Sequence, residues 1–332
     1  MAAQKRTRAS AFLRGVLVLL CCWVSLPYQA LASTEVSRAV AEQFCGLWLY
    51  WQQPFTPQEQ QKIRDWLCPN YQQVNTLLGP FLAKTEVHLY RRDGAKEPVP
   101  WAYTDRGGDQ QIRAQQLHFF VDPSFSLPEF LSDWTAVHEF SHLALPLLDR
   151  SDQWFAEGFA SYLQAQIQYQ QGFIKDPASY YWQKIQPQLE RLSQDQPMIP
   201  LLQQLMQQRR YKTAYWGSAL WFMEAEAMLA AAGSNWFLLI QQYQQQHRFR
   251  DQDLTAVIHS FDQLLNNAQL RQPENANHNS AKEITIPYTH VIKKHPMMPP
   301  ERFYALWQRY QHQPAFAVLA QHPIYLIKEK SN

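Results

Sequence analysis

Glycine is scarce in this chain, with 10 residues among 332. So few argue against a turn-rich β-sandwich and against nucleotide folds built on Gly loops, which need positive φ or close backbone approach. An excess of one charge sign is missing as well: 30 Lys and Arg stand against 28 Asp and Glu, a net of +2. A protein built to wrap nucleic acid carries a basic excess that this chain lacks. Cysteine is limited to 4 residues. Long apolar runs are absent too, the stretch from Val16 to Val24 being about half of the ~20 residues a membrane-spanning helix needs. What is present is a hydrophobic fraction of 46% with 17% charged residues, enough to bury a core. Glutamine recurs in QQKIR, QAQIQYQQ and QQYQQQ, a good helix former without charge on helix surfaces. The composition points to a mainly helical globular protein.

The first residues read as an address. Lys5, Arg6, Arg8 and Arg14 precede the short apolar run, and Ala30-Leu31-Ala32 follows it, so cleavage near Ala32 and export are expected. A retained membrane anchor is the rival reading, disfavoured by the short run, and Leu20 disfavours lipidation at Cys21. No stable membrane span is expected. The four basic residues of this segment have no acidic counterpart, so its removal turns the net charge from +2 to −2. Cys45 and Cys68 then remain, and in an exported protein two such thiols are expected to pair, two unpaired buried thiols being the alternative. Residues 36–50 read as an amphipathic helix, Pro54-Phe55-Thr56-Pro57 as a turn and residues 58–67 as a second helix, so the pair would staple a helical hairpin.

Downstream, residues 84–90 (KTEVHLY) and 117–121 (LHFFV) read as strands. Helices are expected at roughly 128–145, 152–171, 178–193, 200–209, 213–231, 234–247, 252–266 and 300–311, with a polar connection over 271–300. The fold class is therefore α+β, mainly α: a small β-sheet, the helix pair at 128–145 and 152–171, and a C-terminal helical region. The expected division is a signal at 1–32, a helical hairpin at 33–78, a region at 79–175 that ends in this helix pair, a C-terminal helical region at 176–270 and a connection with a terminal helix at 271–332.

The most informative stretch is Val137-His138-Glu139-Phe140-Ser141-His142. Histidines at i and i+4 of a helix share one face, one turn apart, where both can bind one zinc ion. Glu139 between them stands beside the metal and can take a proton from water. Pro146 must end that helix, and Ser151 and Asp152 offer a cap for the next one, which carries Glu157. In an antiparallel pair His142 and Glu157 lie at the same level, about 5–7 Å from the connecting loop. Glu157 is then a third, anionic ligand, and the fourth position stays open, as in a catalytic zinc site. One Zn²⁺ per chain is expected.

The run from His138 to His142, followed by Trp154-Phe-Ala-Glu157-Gly-Phe-Ala-Ser-Tyr162, resembles the gluzincin metallopeptidases with a thermolysin-like catalytic domain. The wording around Glu157 is closest to the aminopeptidase N and glycyl aminopeptidase branch, and the resemblance covers roughly 117–266. Ala214-Tyr215-Trp216-Gly217-Ser218 resembles that branch's tyrosine segment, which implies that Tyr215 stabilises the tetrahedral intermediate; Tyr211 is the competing tyrosine. The gap between His142 and Glu157 is shorter than is usual in the family. Residues 108–121 (GDQQIRAQQLHFFV) hold nothing like the family's amine-binding Gly-Ala-Met-Glu-Asn segment, so aminopeptidase specificity does not transfer. The family pattern also implies that residues 117–121 are an edge along which a peptide substrate adds its backbone.

The reading is an exported zinc-dependent peptidase with a peptide or protein substrate and no nucleic-acid partner. The alternatives are a zinc amide hydrolase acting on cell-wall peptides, or a non-catalytic binding protein that keeps the fold. Ser161 either supports a ligand or is a plain helix hydroxyl. His118 reads as a packed histidine, His290 and His295 as surface residues, and the aromatic helix faces as core.

Overall fold

The computed structural model describes residues 41–105, 115–251, 253–266 and 302–324. The signal segment 1–32, the stretch 108–114 and the whole 271–300 connection, with His290 and His295, lie outside the described residues. Five strands form one sheet in the order β1-β2-β3-β5-β4. Here β1 is Ala41–Phe44, β2 Leu47–Trp51, β3 Thr85–Arg91, β4 Trp101–Asp105 and β5 Gln115–Val121. The β2–β3 and β3–β5 pairs are parallel, while β1–β2 and β4–β5 are antiparallel.

The expected helix over 36–50 is corrected by this sheet, because residues 41–51 are a β-hairpin. Leu47 and Leu49 are buried while Trp48 and Tyr50 alternate with them on the other face, a period of two rather than 3.6. Cys45 and Gly46 form the turn at φ of 55° and 86°, the positive-φ pair that a two-residue hairpin demands. Cys45 does close a disulfide with Cys68, with Cα atoms 5.7 Å apart. It ties that hairpin turn to helix α1 (Pro57–Leu78), not one helix to another. A capping box starts α1: the Thr56 Oγ1 accepts from the Glu59 N–H at 3.3 Å and Glu59 Oε2 accepts from the Thr56 N–H at 2.7 Å. Pro69 does not end it, and beside the missing donor Asn70 Nδ2 donates to the Trp66 carbonyl at 2.9 Å.

The strand at 117–121 is likewise not an edge. It lies inside β5, between β3 and β4, and among the described residues the edge on that side is β4. The inner sheet face (Leu47, Leu49, Val87, Leu89, Leu117, Phe119) packs on helices through Trp66, which meets Phe119 at 5.4 Å and Phe130 at 5.1 Å between ring centroids. The outer face carries a ladder of parallel rings from strand to strand, Tyr50–His88–His118–Tyr103, spaced 4.7, 4.7 and 4.4 Å. His118 is thus a packed histidine.

The expected 128–145 helix is two helices, α2 (Leu127–Ser132) and α3 (Thr135–His142). The break has a local cause: Asp133 Oδ1 accepts from the Thr135 N–H at 2.8 Å and restarts the helix. Helices α4 (Gln153–Gln170), α5 (Pro177–Ile185), α6 (Leu189–Leu192), α7 (Met198–Gln207), α8 (Tyr211–Ala231), α9 (Trp236–Gln246) and α10 (Leu254–Asn266) follow. The expected 178–193 helix is interrupted by a 3₁₀ turn, Gln186–Gln188, around Pro187. Two further helices close the described chain, α11 (Phe303–His312) and α12 (Ala315–Gln321). Helix α8 is buried on all sides and forms the axis of the helical region. Arg309 of α11 pairs with Glu224 of α8, and the Tyr310 hydroxyl donates to the same carboxylate at 3.0 Å. Among the described residues no helix is long and apolar enough to cross a membrane.

Glu226, two residues along α8, is fully buried. Burial pushes its carboxyl up to about 8, offset in part by the Trp236 backbone N–H and the Tyr162 hydroxyl. The folded state therefore keeps a proton that the unfolded chain releases near 4.5. Stability is full below that value and falls as the pH rises toward about 8. Glu226→Gln should remove this dependence and leave the variant a few kcal/mol more stable than wild type at the alkaline end, as urea unfolding across that pH window will show.

Candidate metal centre

Helix α3 is buried along its whole length, which an exposed pair of histidines would not require. It ends at His142 because the last turn tightens: the Leu143 and Ala144 N–H groups donate to carbonyls three residues back, each at 3.1 Å, before Pro146 blocks continuation. A short 3₁₀ turn, Arg150–Asp152, leads into α4, whose first turn delivers Glu157 beside α3. No side-chain cap bond forms at Asp152.

The structure brings His138, His142 and Glu157 together, with one ligand atom from each inside 4.8 Å of the others. Glu157 Oε2 is 3.2 Å from His138 Nε2 and 3.6 Å from His142 Nε2. Burial pushes the Glu157 carboxyl up, but the His142 charge and hydrogen bonds from both histidines outweigh it and hold the group well below the ordinary range. Burial likewise pushes His138 down, and its bond to Glu157 with the Glu157 and Glu139 charges reverses the sign.

Two helices pack closely enough for this because α4 carries Gly158. A Cβ there would stand 2.6 Å from the Ser218 Cβ and 2.7 Å from its carbonyl carbon on α8. The same approach sets Tyr215, on the first turns of α8, against the cluster. Its ring stacks on His138 at 6.1 Å between centroids, and its hydroxyl interacts with Glu157. Burial first, then the Glu157 and Glu139 charges, push that hydroxyl far above the ordinary phenol range, so it keeps its proton. Tyr211 stands farther out, 46% exposed, with its ring 5.9 Å from that of Tyr215.

Glu139 is buried beside the pair, and Thr104 of β4 donates to its Oε2 at 2.8 Å. Neither Thr104 nor Gln164 was singled out from the sequence. Gln164 Oε1 lies 2.8 Å from His138 Nδ1, so Nδ1 donates to it and Nε2 is the nitrogen that faces the cluster and would bind a metal ion. The neighbouring Ser161 is buried on α4. A signal for Gln164 did exist: it follows Glu157 by seven residues, two helical turns, on the same face of α4. Nothing local marks Thr104.

Two imidazole nitrogens and one carboxylate oxygen, mostly buried, with the histidine tautomer set by Gln164, fit a borderline-soft divalent ion such as zinc. Three protein donors leave a coordination position for water or substrate.

No family model matches the chain, and no curated protein does. Among solved structures the chain is similar to the M1 zinc metallopeptidase from Deinococcus radiodurans, at 15% identity and a TM-score of 0.39. The match covers 79% of this chain and 52% of that one, so this chain spans about half the length of that protein.

Gln164→Leu should weaken zinc binding by about 10–100-fold, measured by competition with a chromogenic chelator. Gly158→Ala should destabilise the fold by about 1–3 kcal/mol and weaken zinc binding as well, since α4 and α8 must separate; urea unfolding and the same competition assay report the two effects.

Proposed function

We propose that this protein is an exported zinc-dependent peptidase of the gluzincin type. The observation that carries the reading is the buried cluster of His138, His142 and Glu157 with the Glu139 carboxylate on the same helix. His138 and His142 through nitrogen, and Glu157 through oxygen, would hold one Zn²⁺. Zinc, when bound, supplies a Lewis acid for the carbonyl under attack and acidifies water.

The chain's own groups account for the rest of the chemistry. Thr104 occupies Glu139 Oε2 and fixes the carboxylate's orientation. Glu139 then takes a proton from the attacking water and passes it to the leaving amine as the peptide bond breaks. Tyr215 keeps its proton and donates a hydrogen bond to the oxyanion that develops on the carbonyl oxygen. Strand β4 is both the sheet edge and the carrier of Thr104, so an extended peptide that adds a strand there runs alongside Glu139. The Cys45–Cys68 disulfide supports an oxidising destination.

Protein purified without chelators should contain one zinc per chain by elemental analysis. Glu139→Gln should keep that zinc and lose hydrolysis of a peptide mixture; cleavage equal to wild type would reject the general-base role. Tyr215→Phe should lower kcat by about 10²–10³ with little change in unfolding, and normal turnover would remove Tyr215 from the mechanism.

A further inference from the structure

A cavity of about 520 Å³ opens between the α2–α3 junction at Ser132 and Trp134, Gln168 of α4, and Tyr180 and Lys184 of α5. Two of its walls touch the metal centre's own supports. Trp134 meets the His138 ring edge-on at 5.2 Å between centroids, and Tyr180 interacts with Gln164, which holds His138 Nδ1. Its volume falls within the roughly 300–1,000 Å³ range of small-ligand sites.

The charges on its lining do not balance. Lys184 is half-buried with its Nζ 5.0 Å from the Tyr180 ring centroid, and Lys175 stands exposed at the mouth. Among the described residues neither lysine has a carboxylate within ion-pair distance. The acid on the lining, Asp176, is already engaged. Its Oδ1 accepts from the Ala178 N–H at 3.0 Å and its Oδ2 from the Ser179 hydroxyl at 2.5 Å, capping α5. Burial, and after it the neighbouring Lys212, push the Lys184 ammonium down from its ordinary value, as expected of a cation with no counter-ion. A half-buried cation over an aromatic wall, beside a reaction centre, is an arrangement that selects an anionic group.

We propose that this cavity is the specificity pocket of the metal centre and takes a carboxylate of the substrate, with Lys184 as its ion-pair partner, Trp134 and Tyr180 as walls and Lys175 at the entrance. The inference rests on the peptidase reading for the word substrate, but its test does not need turnover. The carboxylate has two sources, an acidic side chain or a free C-terminus. The first makes the enzyme select acidic positions within a chain, the second makes it trim C-terminal ends.

The test uses full-length Glu139→Gln protein, with and without Lys184→Glu, and calorimetric titration of short peptides. One arm compares Glu with Gln at each position in peptides with amidated ends, and another compares free with amidated C-termini in neutral peptides. The peptide carrying the extra carboxylate, from either source, should bind roughly tenfold or more tightly, and Lys184→Glu should abolish or invert that preference while zinc content and unfolding stay unchanged. Equal binding of acidic and neutral peptides in both arms would overturn the proposal, as would a preference that survives Lys184→Glu. Lys175→Glu, at an exposed position, serves if Lys184→Glu does not fold, with a smaller loss of the same preference expected and an unchanged preference counting against the pocket. Wild type that shows the binding preference but cleaves nothing would reject the peptidase reading alone.

Discussion

The close approach of α4 to α8 is the constraint on which the centre depends. At Gly158 the two helices come so near that a methyl group would stand 2.6 Å from the Ser218 Cβ. On one side of that contact Glu157 reaches His138 and His142 of α3; on the other, Tyr215 of α8 reaches Glu157. A shift of about an ångström in α4 would move the carboxylate out of the cluster and the tyrosine away from it together. Close-packed interiors resist such shifts, and this one is dense with rings: Phe155 meets Trp221 and Phe222 at 5.1 and 4.7 Å, and Phe222 meets Trp236 at 5.3 Å.

Electrostatics explains why the rigidity is needed. A carboxylate and two imidazoles held within about hydrogen-bond range, mostly out of water, interact strongly. Preorganisation spares a metal ion the cost of gathering its ligands, provided the surrounding shell does not yield. That shell comes from three directions. The sheet contributes Thr104, α4 contributes Gln164, and α11 braces α8 through Arg309 and Glu224.

The two sides of the molecule have different tasks. The sheet fixes the Glu139 carboxylate through Thr104 and offers β4 as an edge, while the helices hold His138, His142, Glu157 and Tyr215. The cavity walled by Trp134 belongs to the helical side, so a residue that would select a substrate is packed against one that would hold the metal. The disulfide sits well away from this centre in sequence, joining the β1–β2 turn to α1, and its contribution is to the sheet's support.

Much of this was legible in the chain because it is local. The i, i+4 spacing of His138 and His142, the stop at Pro146 and the restart before Glu157 are set within a span of twenty residues, where helix geometry alone fixes which side chains share a face. The long helices α4 and α8 were legible for the same reason. The hairpin at 41–51 was not, since its aromatic residues fit either period until a partner strand, β3, selects one face for burial. Nor could local pattern reveal β4, whose place depends on pairing with β5, or the demotion of residues 117–121 from edge to interior. By itself the sequence determined that two histidines and two glutamates stand at spacings that let them share one site. Only the tertiary structure decided that Thr104 orients Glu139, that Gln164 sets the His138 tautomer, and that a lysine-lined cavity takes Trp134 as a wall, because those contacts join segments that no helical or strand period connects.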